Sequence, residues 1–321
     1  MKNHVGLVSF GMTINNWDQS KINSNLILET DLSAVQERCY VTKSRAANHR
    51  KLIVYKRVMT IKTISILGSG WLGLPLADHF VLTGNQVKVS TTSKSRLHEL
   101  SSRKVEPFII DIDEFPSNLN DFLQADILII NIPSKSIDGF GNLIKKIEKS
   151  GIEKVLFVSS TSVYENKNKI LYESSDEESI TSPLLTIENL IKNSSKTTIV
   201  RFGGLIGYNR NPGKFFSKGK SVQNPDSYVN LIHRDDCVEI IIQIIEQDIW
   251  GEDFNCCADT HPTKREYYTQ AAKNFGVPTP SFVDSSIKSF KIISNQKVKQ
   301  VLNYEFLHPD LMRIKFNKIT K

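Results

Sequence analysis

The stretch that most constrains this chain is Thr63-Ile64-Ser65-Ile66-Leu67-Gly68-Ser69-Gly70-Trp71-Leu72-Gly73-Leu74-Pro75-Leu76-Ala77. A short apolar, β-branched run breaks at Gly-x-Gly-x-x-Gly, and apolar residues at helical spacing follow it. This order reads as a strand, a tight turn and a helix N-terminus. Gly68 would permit the sharp turn, Gly70 would let backbone amides approach a pyrophosphate, and Gly73 would let the helix lie close on the strand. Unpaired amides and the positive dipole end of the helix favour an anion there, with Trp71 and Leu72 supplying two of the amides. Pro75 is tolerated in a helix's first turn. A merely packed glycine turn is the plain alternative; the flanking strand and helix favour a dinucleotide site.

The 321 residues suffice for one large or two modest domains. No apolar run approaches the length of a membrane span. The formal charge of +7 first suggests a nucleic-acid surface, but its distribution argues otherwise. Residues 1–58 hold nine Lys/Arg against four Asp/Glu, and the remainder holds 32 against 30, so no basic footprint marks the body of the chain. Cys39, Cys237, Cys256 and Cys257 show neither C-x-x-C nor disulfide-framework spacing, which fits reduced thiols and a cytoplasmic protein.

Residues 1–58 show no sustained period and no signal-peptide core, and they run into Met59 just ahead of the first apolar strand. They are expected to be a poorly structured extension, with Met59 as the natural start. Asp18, Glu29, Asp31 and Glu37 argue against a transit peptide.

From Met59 onward, strand-like and helix-like pieces alternate. Strands are expected at 61–67, 87–91, 107–111, 127–132 and 155–159, with helices at 71–82, 95–102, 119–124 and 137–149 between them. Repeated βα units with near-continuous apolar strands imply an α/β fold, a Rossmann-type doubly wound parallel sheet with both faces covered. Ligands of such sheets bind beyond the strands' carboxyl ends. Past residue 160 the alternation weakens: 165–182 reads as an exposed loop, 184–192 as a helix, 197–201 as a strand, and 203–220 as a loop rich in Gly, Asn and basic residues. Asp236 with Glu239 reads as a capping box opening the helix 240–245. A strand near 253–257 and a helix over 263–275 follow. The expected division is a nucleotide-binding domain over 59–202 and a smaller substrate lobe over 203–321, partly interleaved with the sheet.

Three stretches together resemble the extended short-chain dehydrogenase/reductases, the NAD-dependent epimerase/dehydratase family. They are Gly68–Gly73, Phe157-Val158-Ser159-Ser160-Thr161-Ser162-Val163-Tyr164, and Val200-Arg201-Phe202-Gly203-Gly204-Leu205-Ile206-Gly207. Asn230-Leu231-Ile232-His233-Arg234-Asp235-Asp236, and Asn255 followed by Pro262 to Tyr268, resemble later landmarks of that family. The likeness is closest to a bacterial branch whose first motif reads Gly-x-Gly-Trp-Leu-Gly. It implies a nicotinamide cofactor and an oxidoreductase or epimerase acting on a small polar or sugar-like substrate, as a monomer or homodimer. A likeness of the first motif to hydroxyacid and phosphogluconate-type dehydrogenases is opposed by Ser159 to Tyr164.

The chain departs from the family at the acid/base pair, a tyrosine and a lysine four residues apart. No tyrosine lies between Tyr172 and Tyr208, and Ser182-Pro183-Leu184-Leu185-Thr186-Ile187-Glu188 occupies the expected helix start. Ser160 matches the family's substrate-orienting hydroxyl, with a strand-end hydrogen bond as its plain alternative. Tyr164 is a candidate substitute acid at a position that is usually structural. A non-catalytic NAD(P)H sensor is the second reading of the chain.

Around the cofactor, Thr91, Thr92, Ser93, Lys94 and Arg96 at the end of the second strand of the sheet offer hydroxyls and cations and no carboxylate. They favour NADP(H) over NAD(H), whose 2′-hydroxyl is usually met by an acid. By resemblance, Asp111 and Ile112 would flank the adenine, Asn131, Ile132 and Pro133 the far ribose, and Ser159 the cofactor edge. Arg201, Tyr208, Asn209 and Arg210, with Lys214, fall where the family's substrate loop lies, though a solvated loop explains them equally. His233 with Asp236 lacks a third ligand in the sequence, so a buried hydrogen-bonded histidine is expected there and no metal.

Overall fold

A computed structural model describes residues 28–30, 37–43, 52–58, 61–114, 116–175, 178–179, 181–192, 196–216, 219–286 and 289–316. Contacts divide the chain into two compact units, residues 1–61 and 62–321. In the first, β1 (Leu28–Thr30), β2 (Glu37–Lys43) and β3 (Leu52–Val58) form an antiparallel sheet in that order. These strands fall within the stretch 1–58 read from sequence as an extension. The remaining residues up to 60 lie outside those described.

The second unit opens with β4 (Thr63–Leu67), α1 (Gly73–Leu82), β5 (Gln86–Thr91), α2 (Leu97–Ser101), β6 (Glu106–Ile109), α3 (Leu119–Phe122), β7 (Ile127–Ile130), α4 (Ile137–Ile147) and β8 (Lys154–Ser160). It continues through β9 (Ile170–Leu171), α5 (Pro183–Lys192), β10 (Lys196–Phe202), β11 (Gly204–Ile206), β12 (Val222–Gln223), β13 (Leu231–His233) and α6 (Arg234–Glu246). β14 (Asp253–Cys256), α7 (Lys264–Phe275), β15 (Phe282–Val283), β16 (Ile292–Ile293) and α8 (Gln296–Leu302) complete it. Seven strands form one parallel sheet in the order β14-β10-β8-β7-β4-β5-β6. This is a Rossmann-type arrangement, and it agrees with the fold class expected from sequence.

Strand residues alternate between the two faces. Ile64, Ile66, Ile127 and Ile129 join one core with Leu76 and Phe80 of α1, Ile240 and Ile244 of α6, and Val298 of α8. Leu67, Leu128 and Ile130 join the other with Phe122 of α3, Phe140 of α4 and Ile187 of α5. Burial on both faces explains why these strands read as unbroken apolar runs. β14, from well beyond residue 203, forms the sheet edge, and α6 and α8 cover one face.

Two expectations need correction. The helix after β13 starts at Arg234, six residues earlier than expected, with His233 as its N-cap. Asp236 lies inside the first turn, fully buried, where its carboxylate accepts from Tyr304 Oη at 2.7 Å and from the amides of Leu307 and His308. Glu239 instead accepts from Gln243 Nε2. The capping box proper is Thr263 with Glu266 at the start of α7. The polar run 165–182, expected as an exposed loop, carries β9 paired with β16, and Leu171 is buried.

Candidate functional site

The turn between β4 and α1 is locked at its first and last glycines and open at its middle one. Gly68 has φ +108°, and a Cβ there would lie 2.5 Å from Asn131 O. A Cβ on Gly73 would lie 1.9 Å from Gly68 O, so the helix packs on the strand only with glycine there. The Gly68 amide donates to Ser90 Oγ and the Ser69 amide to Ser90 O, each at 2.9 Å, fastening the turn to β5. At Gly70 nothing lies within 4 Å of an added Cβ, and the residue is exposed. The amides of Gly70, Trp71, Leu72 and Gly73 find no acceptor among the described residues. Unpaired donors at the N-terminus of a ten-residue helix are the chemistry that suits an anion.

Beside the turn, Arg96 Nη1 donates to Ser69 O and Ser69 Oγ, both at 3.0 Å, while its Nε pairs with Glu99 at 3.2 Å. Thr92 and Lys94 are exposed, Ser93 Oγ and Ser95 Oγ bond each other, and Thr91 Oγ1 accepts from the Ser93 amide. Across the same edge, Asp111 accepts from the Asp113 amide, Ile112 is buried, and Pro133 is exposed. Asn131 and Ile132 pack against Gly68. The turn, the β5 end and the β7 end are thus neighbours at one sheet edge.

The ends of β8 and β10 are filled by side chains. Arg201, expected in a substrate loop, is wholly buried: it holds Glu188 through Nε and Nη2, with Nη2 at 2.6 Å, and Glu178 at 2.7 Å. Burial alone would lower its pKa, but the hydrogen bonds and charge of Glu188 more than offset that and raise it. Ser159, expected at the cofactor edge, is buried with its hydroxyl donating to Glu188. Tyr164, the candidate acid, is also buried: its oxygen accepts from Arg201 Nη1 at 2.5 Å and lies 3.1 Å from Asn255 Oδ1. Burial pushes its pKa up, partly countered by Arg201. These corrections have one cause: β10 turns Arg201 into the protein, and a buried guanidinium collects every acceptor within reach.

Ser160 is half-buried, and its hydroxyl accepts from the Ser162 amide, capping a one-turn 3-10 helix at Thr161–Val163. Lys291 Nζ donates to Thr161 O at 3.0 Å and Tyr164 O at 2.5 Å, and burial lowers its pKa. Sequence reading gave no role to Glu188 or Lys291. An acid beside Ile187, on an otherwise apolar helical face, was the available signal for the first; nothing local marked the second.

The loop after β11 meets the glycine turn. Asn209 Oδ1 accepts from Trp71 Nε1 at 2.7 Å, and the Arg210 guanidinium lies 4.3 Å from the Trp71 ring centre. Arg234 lies 3.6 Å from the Tyr208 ring and 5.2 Å from that of Trp71, and Tyr208 Oη donates to Asp235 Oδ1 at 2.8 Å. His233 Nδ1 accepts from the Asp235 amide at 3.3 Å, and burial, helped by His308, pushes its pKa down to about 4. His233, Asp235 and His308 bring one potential ligand atom each within 4.8 Å of one another, with His233 Nδ1 already used as the cap.

No family model matches the chain. Protein YeeZ of Escherichia coli strain K12 is 28% identical over 268 residues, 78% of this chain and 97% of the relative. A putative NAD-dependent epimerase/dehydratase from Methylobacillus flagellatus superposes with a TM-score of 0.65 at 22% identity, covering 78% of this chain and 95% of that one. The UDP-glucuronic acid 4-epimerase of Bacillus cereus, solved with UDP-glucuronic acid and NAD, gives 0.64 at 18% identity with the same coverage. These structural neighbours share the fold of this chain. Among the described residues, no helix is long and apolar enough to cross a membrane.

Proposed function

We propose that this chain binds a nicotinamide dinucleotide at the Gly68–Gly73 turn and acts as an oxidoreductase or epimerase on a small polar or sugar-like substrate. The observation that carries the reading is Gly70: a glycine with open space where a side chain would sit, between two glycines that packing requires. The unpaired amides of 70–73 would hold the diphosphate, and Asn131 to Pro133 would border the far ribose. Lys94, exposed at the β5 end, and the absence of a carboxylate over Thr91 to Arg96 favour NADP(H). Arg96, already engaged by Ser69 and Glu99, contributes less to that choice. The shared fold and the NAD solved with a structural neighbour support the dinucleotide part of this reading.

When bound, the cofactor supplies hydride chemistry. The chain's own part is to orient substrate: the Ser160 hydroxyl, half-buried at the β8 end, is the candidate group, and Lys291, donating to Thr161 O and Tyr164 O, anchors the segment that follows it. Tyr164 is committed to Arg201 and Asn255, which favours the second reading, a sensor that binds cofactor without turnover. The test is fluorescence titration with NADPH and NADH, followed by cofactor oxidation or reduction with carbonyl compounds and sugar nucleotides. Binding with turnover that Ser160→Ala slows supports the enzyme. Binding without turnover supports the sensor, and no binding of either coenzyme sinks both.

A further inference from the structure

Three side chains able to ligate a metal ion meet at the start of α6. His233 ends β13, Asp235 lies in the first turn of α6, and His308 comes from the segment after α8. The sequence places no third ligand beside His233, and the fold brings His308 there. One ligand atom from each residue lies within 4.8 Å of the other two. Asp235 Oδ2 is 3.4 Å from His233 Nδ1 and 3.5 Å from His308 Nε2, in both cases longer than a hydrogen bond. Donors bound about 2.0–2.1 Å from a tetrahedral ion stand about 3.3 Å from one another. The carboxylate oxygen therefore already sits close to ligand spacing from both imidazoles.

Each donor is held from behind, as the ligands of a metal site are. Asp235 Oδ1 accepts from Tyr208 Oη at 2.8 Å, which leaves Oδ2 to the imidazoles. The His308 amide donates to Asp236 Oδ2 at 3.2 Å and fixes the backbone that carries the ring. His233 is buried, and a Cβ on Gly207 would lie 2.6 Å from its Nε2, so Nε2 is packed against the chain while Nδ1 faces the carboxylate. The hydrogen bond that Nδ1 accepts from the Asp235 amide is long, at 3.3 Å, and an ion would replace it. The Arg234 guanidinium lies over the Tyr208 ring at 3.6 Å. Two imidazole nitrogens and one carboxylate oxygen suit zinc, cobalt or nickel, whereas magnesium and calcium prefer oxygen donors throughout.

We propose that His233, Asp235 and His308 bind one divalent ion of the zinc class, which ties the segment after α8 to the start of α6. This stands independently of the dinucleotide reading of the glycine turn. The test uses the full chain without an affinity tag, stripped by chelator, with zinc in calorimetric titrations and cobalt as an absorption probe. The parent should take up one zinc ion per chain with a Kd of about 1 μM or tighter, and cobalt should give the intense visible bands of a four-coordinate site. His308→Ala and Asp235→Asn should each weaken zinc about a hundredfold or more, and Tyr208→Phe about tenfold. Zinc should raise the melting temperature of the parent and leave that of His308→Ala where it was, while the two proteins melt together without metal. Should Asp235→Asn fail to fold, His308→Gln serves in its place. The proposal is overturned if the stripped parent binds no zinc up to about 100 μM, or if the His308 variants bind zinc as the parent does, which would put the ion elsewhere.

Discussion

Two stretches of one sheet edge, a few strands apart, have been treated in opposite ways. At the β4–α1 turn the amides of residues 70–73 lack acceptors among the described residues, Gly70 has room beside it, and Arg210 and Arg234 hold no carboxylate among the described residues. At the ends of β8 and β10 the side chains close inward on Arg201, with Glu188, Glu178, Tyr164 and Ser159 satisfying one another. The contrast teaches that one parallel sheet can leave its backbone donors unpaired at one strand end and, at another, use buried charges to satisfy one another.

The sharpest way to break this comparison is Glu188→Ala. It would leave the Arg201 guanidinium buried without its bidentate partner, and urea unfolding should show a loss of about 3–5 kcal/mol. A loss below about 1 kcal/mol would mean that the β8–β10 end is solvated rather than closed.

Next comes a titration on the open side. The depressed pKa of His233, about 4 against the model-compound 6.5, means the unfolded chain binds the extra proton first as pH falls. Its contribution is therefore present above pH 6.5 and is lost as pH falls from 6.5 through about 4, on the order of 3 kcal/mol at most. Denaturation midpoints across that window should slope less in His233→Gln than in the parent; equal slopes would refute the assignment.

A pair of glycine variants then separates packing from binding. Gly73→Ala should cost roughly 1–3 kcal/mol of stability, because its Cβ meets the Gly68 carbonyl at 1.9 Å. Gly70→Val should change thermal stability by less than about 0.5 kcal/mol yet weaken NADPH about tenfold or more. A Gly70 variant that binds NADPH normally would remove the open turn from the comparison. The smallest effect belongs to Ser160→Ala, which removes the cap on the Ser162 amide and should cost about 1 kcal/mol in denaturant unfolding.

The doubly wound sheet was legible because strands buried on both faces leave apolar runs, and because Gly-x-Gly-x-x-Gly fixes a strand, a turn and a helix in one stretch. The open turn was legible for the same reason. Asp236 misled because an acid ahead of an apolar helix is the usual sign of a cap; its true partners, Tyr304 and the amides of 307 and 308, lie some 70 positions away in sequence. Arg201 misled because a guanidinium near a loop reads as a ligand contact, and only the fold shows that β10 aims it at Glu188. The meeting of Trp71 with Arg210 and Arg234 joins segments that no local pattern connects.

The Asp236 contact bears on how this protein is made. Its carboxylate sits in the first turn of α6 and is satisfied by Tyr304 and the two residues after Phe306. While residues 304–308 are still inside the ribosome, the helix that roofs one side of the sheet carries an acid with no donors, so that roof settles late. Pulse proteolysis of stalled nascent chains should find α6 cleavable until Tyr304 and Leu307 have emerged, and resistant soon afterwards.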